Sequence, residues 1–382
     1  MAPSRAGDFH MTKTNIEWTD AVWNPMIGCS HVSPGCDHCY AEGTVRRFGA
    51  RYDRPTTIKL GTTKREGLTF LPVDANGKSL GKGAKWTGAM WLLPDVLDVP
   101  LRRRKPTAYF VNSQSDVFHE SVVGCEEGRR FIAAIFGVMA ATPQHTYQVL
   151  TKRPDQAAKW FAWMIDDPGL GLVWQTMYQS AAEILPDSAR NDIRSRMSSP
   201  WPWPLPNVWL VASVENQAAA DERVPILLEL PAAVRGLSVE PMLGPVVLPQ
   251  TFLDLGSRAW VICGGESGPK ARPMHPAWVR SLRDQCVNAG VPYFFKQWGE
   301  HAPWMTGEWF THGGEEKHAH TWVAIDGSHG LCWVIDDDGT WSNYTGGPPL
   351  ATGVGHEGVM SKVGKAAAGR EFDGRTWDEY PA

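Results

Sequence analysis

The sequence lacks the features that would send it into or across a membrane. No run of about 18 apolar residues occurs, so no membrane-spanning helix is expected. Residues 1–13 are polar and lack the apolar core of a signal peptide. The seven cysteines are an odd number and three of them are clustered, which fits a reducing compartment better than a disulfide framework. We therefore expect a cytoplasmic protein that does not bind membranes.

The sequence also lacks a strong charge of one sign and several well-known catalytic motifs. Its formal net charge is −4, which gives no overall attraction for nucleic acid, although a local basic patch is compatible with it. It contains no Gly-x-x-x-x-Gly-Lys-Ser/Thr phosphate loop, no Gly-x-Ser-x-Gly turn and no His-Glu-x-x-His helix. These absences argue against phosphate-loop nucleotide hydrolysis, serine hydrolase chemistry and zinc-protease chemistry.

Three cysteines near the N-terminus carry the strongest chemical signal. Cys29, Cys36 and Cys39 have the spacing C-x6-C-x2-C on a segment rich in Gly, Ser and Pro. A closed structural zinc site takes four ligands, whereas a [4Fe–4S] cluster takes one Cys thiolate per iron. Three thiolates would therefore leave one iron open for another ligand. Two alternatives remain open, which are a zinc site completed by His31 or His38 and three unrelated thiols.

Short apolar runs alternate with helical patterns along most of the chain. The predicted strands cover residues 21–27, 107–112, 146–151, 208–213, 234–239, 260–264 and 292–295. The predicted helices cover residues 40–51, 125–141, 154–165, 217–230 and 276–289. Alternation of this kind indicates βαβ units, an α/β fold and a parallel sheet. Six or seven such units favour a barrel, open or closed, over a doubly wound sheet.

Two insertions and an extension interrupt this alternation. Residues 56–100 are rich in Gly and Lys and predict a hairpin or loop excursion. Residues 166–206 end in a Pro-Trp-rich stretch that predicts a rigid extended connector. From residue 301 the alternation is lost and Trp, Gly and His dominate. We predict a barrel domain over residues 1–300 and a small β-rich extension over residues 301–382.

Polar residues follow most of the predicted strands, where barrels of this type place their active sites. The candidates are Lys152, Arg153, Ser213, Glu215, Asn216, Glu240, Gly264, Gly265, Glu266, Lys296 and Trp298. The two glycines would let the backbone approach a ligand, and the Glu266 carboxylate could take an ammonium group. A tight turn with a surface Glu is the alternative. Salt bridges of Glu215 and Glu240 with the nearby Lys and Arg residues are the alternative for those two acids.

Several segments together resemble a known family. They are residues 15–29, 39–42, 150–154, 206–216, 237–241, 261–268, 294–300, 365–370 and 373–377. These segments resemble the phage Gp37/Gp68 family, also called DUF5131, which is similar to radical S-adenosylmethionine (SAM) enzymes. The resemblance implies a partial (β/α) barrel of TIM type, with the small C-terminal extension outside it.

The resemblance also implies a cofactor set. A [4Fe–4S] cluster would be held by Cys29, Cys36 and Cys39, and His38 would lie where radical SAM proteins often carry an aromatic residue that shields the cluster. SAM would be the second cofactor, and an electron donor such as a flavodoxin or ferredoxin would reduce the cluster. The candidate SAM-binding residues are Ser213, Glu215, Asn216, Gly264, Gly265 and Glu266.

The implied reaction is cleavage of SAM followed by hydrogen abstraction from a substrate. Lys152, Glu240 and Lys296 are the catalytic candidates, and Arg153 and Trp298 are further candidates for substrate contact. The phage association of the family suggests a small-molecule nucleotide or a nucleic-acid base as substrate. The alternative function is a non-catalytic accessory protein that binds nucleic acid and is stabilised by zinc or an Fe–S centre.

Overall fold

A computed structural model describes residues 14–61, 67–71, 83–166, 172–197, 201–303, 311–312, 315–316, 332–335, 341–344 and 360–382. Its strands are β1 (Ala21–Trp23), β2 (Met26–Ile27), β3 (Ile58–Leu60), β4 (Thr69–Phe70), β5 (Lys85–Trp86), β6 (Met90–Leu92), β7 (Ala108–Val111), β8 (Thr146–Thr151), β9 (Val208–Ser213), β10 (Val234–Val239), β11 (Ala259–Gly264), β12 (Tyr293–Gln297), β13 (His301–Pro303), β14 (Thr311–His312), β15 (Glu315–Glu316), β16 (Cys332–Ile335), β17 (Trp341–Tyr344) and β18 (Met360–Lys362). Its α-helices are α1 (Tyr40–Phe48), α2 (Val99–Arg102), α3 (Glu120–Val123), α4 (Glu126–Ala140), α5 (Pro154–Asp166), α6 (Val173–Ile184), α7 (Asp187–Arg196), α8 (Gln217–Glu229), α9 (Gln250–Leu253), α10 (Pro276–Ala289) and α11 (Lys365–Ala368).

Seven strands form one sheet in the order β1-β7-β8-β9-β10-β11-β12. The pairs β1–β7, β7–β8, β8–β9 and β11–β12 are parallel. Strands that follow one another in this order are connected through helices, as βαβ units require. This mixed α/β architecture is compatible with the predicted partial (β/α) barrel, and strands β8, β9 and β10 have the predicted bounds.

The chain divides into two compact units. The first comprises Met1–Ser213 and Glu222–Leu237, and the second comprises Val214–Asp221 and Ser238–Ala382. The core of the first unit contains stacked aromatic side chains of neighbouring strands, with ring centroids of Tyr109 and Tyr147 5.6 Å apart.

The predicted strand over residues 21–27 is wrong in one respect, because the structure divides it into β1 and β2. Pro25 lies between the two pieces and has no backbone N–H to donate to a sheet. After Pro25 the chain leaves the large sheet, and β2 pairs antiparallel with β6. Strand β6 also pairs with β3, so the insertion over residues 56–100 contributes strands to a three-stranded sheet beside the cysteines.

The second insertion contains two helices that the sequence pattern did not predict, α6 and α7. Helix α6 packs against α4 so closely that a Cβ atom on Gly137 would lie 2.6 Å from the carbonyl oxygen of Met177. Helix α7 is polar, and its buried residues are Ala189 and Ile193. The Pro-Trp-rich stretch after it, where described, has no regular secondary structure, and its role as a rigid extended connector stays a prediction.

The second unit places the C-terminal segment along β12, the last strand of the large sheet. The Phe295 N–H donates to the carbonyl oxygen of Trp377 at 2.9 Å, and the Trp260 Nε1–H donates to that of Glu379 at 2.9 Å. This segment therefore satisfies backbone groups at an edge of the sheet, which otherwise invites unwanted pairing.

Most of residues 301–359 lie outside the described part of the chain. The described strands there form a four-stranded sheet in the order β13-β18-β16-β17 and the pair β14–β15. The predicted domain boundary near residue 300 stays a prediction. Among the described residues, no helix has the length and apolar character needed to cross a membrane.

Candidate functional site

The cysteine loop begins at a point where the backbone is tightly packed. Gly28 has φ of +109°, and a Cβ atom there would lie 2.1 Å from the carbonyl oxygen of Ala89. Its N–H donates to the carbonyl oxygen of Gln114 at 3.2 Å, and the Cys29 carbonyl oxygen accepts from the Gly88 N–H at 3.2 Å. Only glycine fits this position without strain, so the backbone fixes where the first thiol starts.

The second and third cysteines occupy a tight turn that leads into helix α1. A short 3₁₀ helix covers Pro34–Cys36, and the Cys39 N–H donates to the Cys36 carbonyl oxygen at 3.3 Å. Cys39 is the N-cap residue of α1, where the nearby backbone amides of Ala41 and Glu42 act to lower the pKa of its thiol. Amides at a helix N-terminus stabilise a thiolate, so this position suits a metal ligand.

The protein environment acts on the protonation of these thiols in opposing directions. Burial raises the pKa of the Cys29 thiol to about 12, and the nearby Arg153 guanidinium opposes part of that rise. Burial also raises the pKa of Cys39, against the effect of its two amide donors. Cys29 and Cys39 interact electrostatically, as do Cys39 and Cys36. Both partly buried thiols would therefore be protonated at neutral pH until a metal displaced the proton.

The two kinds of metal centre considered for the loop differ in how close together they need their ligands. Within the described residues, no three His, Cys, Asp or Glu side chains converge on a point that could hold one metal ion. A single zinc needs its thiolates about 2.3 Å from the metal, hence within about 4 Å of one another. A [4Fe–4S] cluster takes one Cys per iron, so its ligands stand farther apart. Three thiols on one short loop supply the kind of donor that such a cluster takes.

The histidines of the loop show how the zinc alternative would have to be built. His31 Nε2 lies 2.8 Å from Asp37 Oδ1, so this ring is paired with a carboxylate. His31 and His38 are both exposed. The zinc alternative needs one of these rings as the fourth ligand beside the three thiolates.

A buried arginine approaches the first cysteine. Arg153 follows β8 directly, and its side chain is only 6% exposed. Its Nη1 lies 3.7 Å from Cys29 Sγ and 3.4 Å from Asp116 Oδ2. Its Nε donates to Glu120 Oε2 at 2.8 Å, and its Nη2 donates to Ser30 Oγ at 2.7 Å. The guanidinium therefore joins the cysteine loop to the segments that follow β7 and β8.

Asp116 and His119 complete this network. Asp116 accepts hydrogen bonds from Thr151 Oγ1 at 2.8 Å and from the Lys152 N–H at 2.9 Å. His119 Nε2 lies 2.9 Å from Ser30 Oγ, while its Nδ1 accepts from the backbone N–H of Ser121. Burial lowers the pKa of His119 to about 4, and Arg153 acts in the same direction. The imidazole is therefore neutral at physiological pH.

Sequence reasoning missed most of this network. The position of Arg153 after β8 predicts substrate contact, whereas the structure places its guanidinium against Cys29 and Ser30 of the cysteine loop. Ser30, His119 and Glu120 gave no signal of their own in the sequence. Asp116 had a partial signal, because polar residues follow the strand that ends near Val111.

The Gly264–Glu266 turn lies in the second unit. A Cβ atom on Gly265 would lie 2.0 Å from the carbonyl oxygen of Trp298, so backbone packing explains this glycine. The Glu266 carboxylate is buried and engaged by Arg272, whose Nε lies 2.9 Å from Oε2 and whose Nη2 lies 2.6 Å from Oε1. Binding of a SAM ammonium group here would have to displace this bidentate ion pair. The assignment of the turn to SAM stays a prediction.

Glu240 and Lys296 form an ion pair in the second unit. Lys296 Nζ lies 3.0 Å from Glu240 Oε2, which is the salt bridge considered as the alternative for this acid. A Cβ atom on Gly264 would lie 3.2 Å from Glu240 Oε1, so this glycine leaves room for the pair. Trp298 is buried, and its Nε1–H donates to the carbonyl oxygen of Glu371.

The remaining candidates lie at the ends of β8 and β9 and in the segment that follows β9. The Ser213 carbonyl oxygen accepts from Arg223 Nη1 at 2.7 Å, and Glu215 is fully buried. Asn216 Oδ1 accepts from the Ala219 N–H at the start of α8, which is a capping role. Lys152 is partly buried. The roles assigned to these residues in SAM binding and catalysis stay predictions.

Comparison with protein-family models gives one assignment. The model described as a protein of unknown function (DUF5131) matches residues 13–381. No curated protein and no solved structure matches the chain. The match spans the cysteine loop, the Arg153 network and the Gly264–Glu266 turn, and the chain therefore belongs to the DUF5131 family.

Proposed function

We propose that this chain is a radical SAM enzyme that holds a [4Fe–4S] cluster on Cys29, Cys36 and Cys39. The observation that carries the proposal is the cysteine loop itself. It presents three thiols within eleven residues, between a strand and a helix N-terminus, and draws a buried arginine to the first thiol. A cluster bound in this way would have one iron without a protein ligand.

The bound cofactors would supply reductive cleavage of SAM and a radical that abstracts hydrogen from the substrate. The protein would hold the cluster through the thiolates of Cys29, Cys36 and Cys39 and would leave one iron open to SAM. Cys39 would ligate from the N-cap position of α1, where the nearby backbone amides favour the thiolate form. Water exclusion and substrate orientation would be the remaining tasks of the fold.

The first experiment measures iron and sulfide after anaerobic reconstitution. Wild-type protein should turn brown and contain about four irons and four sulfides per chain. Each of Cys29→Ala, Cys36→Ala and Cys39→Ala should lose most of this content. Cys125→Ala is the matched control, because Cys125 is also a partly buried free thiol, and it should retain the cluster. A colourless wild-type protein with one zinc would support the accessory-protein alternative.

The second experiment addresses the reaction and the substrate class. Reduced, reconstituted protein is incubated with SAM and a panel of nucleosides, nucleotides, DNA and RNA, and the formation of 5′-deoxyadenosine is measured. The phage association of the family leads us to expect the strongest response from a nucleotide or a nucleic-acid base. A protein that binds a cluster but never forms 5′-deoxyadenosine with any reductant or substrate would contradict the enzymatic proposal.

A further inference from the structure

We infer that Arg153 tunes the reduction potential of the cluster, acting as a positioning residue through the sulfur of Cys29. This inference rests on the proposed function and assigns a task to a side chain that sequence reasoning had placed at the substrate. It begins from one contact, the 3.7 Å distance between Arg153 Nη1 and Cys29 Sγ. That distance is within the range of a hydrogen bond to sulfur.

The guanidinium is held in this position by the rest of its donors. Its Nη2 contacts both the backbone oxygen and the Oγ of Ser30, at 3.0 and 2.7 Å, and its Nε contacts Glu120 at 2.8 Å. The Arg153 backbone N–H also donates to Thr151 Oγ1 at 2.9 Å. A planar fork with several simultaneous partners has little freedom to turn away from the sulfur.

The charges around Arg153 indicate that its hydrogen bond to the Cys29 sulfur, rather than its positive charge, affects the reduction potential of the cluster. Asp116 and Glu120 both contact the guanidinium, so two carboxylates face one cation. The local net charge is thus not positive, and simple attraction for an electron is weak. The directed N–H on the Cys29 sulfur remains, and hydrogen bonds to cluster sulfurs are one of the factors that set the potential.

The sign of the effect follows from the electron count. With three thiolates, the oxidised [4Fe–4S]²⁺ centre carries a net charge of about −1, and one electron from an external reductant takes it to about −2. A hydrogen bond withdraws electron density from the sulfur, so it stabilises the more negative reduced state. Arg153 should therefore raise the potential, and its loss should make reduction harder.

Arg153→Lys is the decisive variant. Lysine keeps the positive charge beside Asp116 but has a single nitrogen, which cannot reach the two carboxylates, Ser30 and the Cys29 sulfur together. We expect the reduction equilibrium to shift about tenfold toward the oxidised cluster, which is about 59 mV for a one-electron couple. The measurement is an anaerobic dithionite titration of reconstituted protein, followed by electron paramagnetic resonance (EPR).

Arg130→Lys is the matched control, because Arg130 makes an exposed ion pair with Glu126 on helix α4. The midpoint potential of the cluster in Arg130→Lys protein should equal that in the wild type. A wild-type midpoint in an Arg153→Lys protein that contains a full cluster would overturn the inference and leave the proposed function standing. A wild-type protein that binds no cluster would instead overturn the proposed function and the inference with it.

Ser30→Ala keeps the inference testable if Arg153→Lys does not fold. This change removes the 2.7 Å hydrogen bond between Arg153 Nη2 and Ser30 Oγ, and it leaves the Arg153 side chain unchanged. We expect a shift in the same direction, smaller than tenfold, with iron content unchanged. No shift in Ser30→Ala, when Arg153→Lys is unfolded, would overturn the inference.

Discussion

The cysteine loop and the Gly264–Glu266 turn look alike in the sequence, since each is a short run that could bind a cofactor. The structure separates them. In the turn, Gly265 is needed for backbone packing and Glu266 is engaged by Arg272. In the loop, the packing constraint falls on Gly28, whose Cβ would lie 2.1 Å from the Ala89 carbonyl oxygen, and all three cysteines are free thiols. A motif whose carboxylate is already paired within the protein gives weaker support for a bound ligand than a motif that keeps three free thiols.

The largest expected effect tests the packing role of the turn. Gly265→Ala places a methyl group 2.0 Å from the Trp298 carbonyl oxygen, where no side-chain movement can relieve the clash. We expect loss of soluble protein or a fall of more than about 4 kcal/mol in the free energy of unfolding. Gly244→Ala in the same unit is the control, because its Cβ would meet only the Cβ of Asn216 at 3.4 Å. Urea denaturation of both variants decides the point.

The next effect concerns the buried charges beside the cysteine loop. Asp116→Asn would turn an amide toward groups that donate to the carboxylate, and would remove a charge that faces buried Arg153. We expect the free energy of unfolding to fall by about 3 kcal/mol. Glu126→Gln, which weakens the two exposed ion pairs of Glu126 on α4, should cost at most about 1 kcal/mol. Equal costs for the two variants would mean that the Arg153 network is not a buried unit.

A pH dependence should follow from His119. Its pKa is about 4 in the folded protein against 6.5 when unperturbed, so the unfolded chain binds the proton first as pH falls. The stability it contributes is complete above pH 6.5 and declines as pH drops through that value toward 4. Between pH 8 and 5 the loss should be roughly 2 kcal/mol.

The measurement compares the free energy of unfolding of the wild type with that of His119→Asn at pH 8, 6.5 and 5. Asparagine can still cap the helix that begins at Glu120 but does not titrate. Below pH 6.5, the free energy of unfolding of the variant should depend less on pH than that of the wild type. Above pH 6.5, the two proteins should show the same pH dependence. Parallel profiles over the whole range would contradict the assignment of a buried neutral imidazole.

The smallest expected effect concerns Glu266. Glu266→Gln should weaken the bidentate pair with Arg272 and lower the free energy of unfolding by about 1.5 kcal/mol. If pairing is its role, the affinity of reconstituted protein for SAM should stay unchanged in calorimetry. If the carboxylate instead binds the SAM ammonium, affinity should fall by about 1.5–3 kcal/mol while the cluster spectrum is kept.

The sequence predicted the central strands well and the insertions poorly. Strands β8, β9 and β10 are buried runs bounded by turns, and such runs are recognisable without knowledge of their partners. Helix α7 has little apolar periodicity, and α6 is stabilised by its close approach to Gly137. Neither helix can therefore be predicted from the local sequence pattern alone.

The candidate site shows the same limit. The cysteine spacing is local, so the sequence reveals the three thiols directly. The contact between Cys29 and Arg153 joins residues 124 positions apart. It forms because the parallel strands β1, β7 and β8 have their carboxyl ends on the same side of the sheet. The position of Arg153 after β8 indicates a functional residue, but it does not indicate which group the side chain contacts.

The most direct test of the central claim is a low-temperature EPR spectrum of dithionite-reduced, anaerobically reconstituted protein, recorded with and without SAM. We predict the signal of a reduced [4Fe–4S] cluster in wild-type and Cys125→Ala protein, a change in its shape when SAM is added, and no such signal after Cys39→Ala. A cluster signal that survives Cys39→Ala, or a wild-type protein that carries zinc and gives no signal, would contradict the three-cysteine radical SAM account.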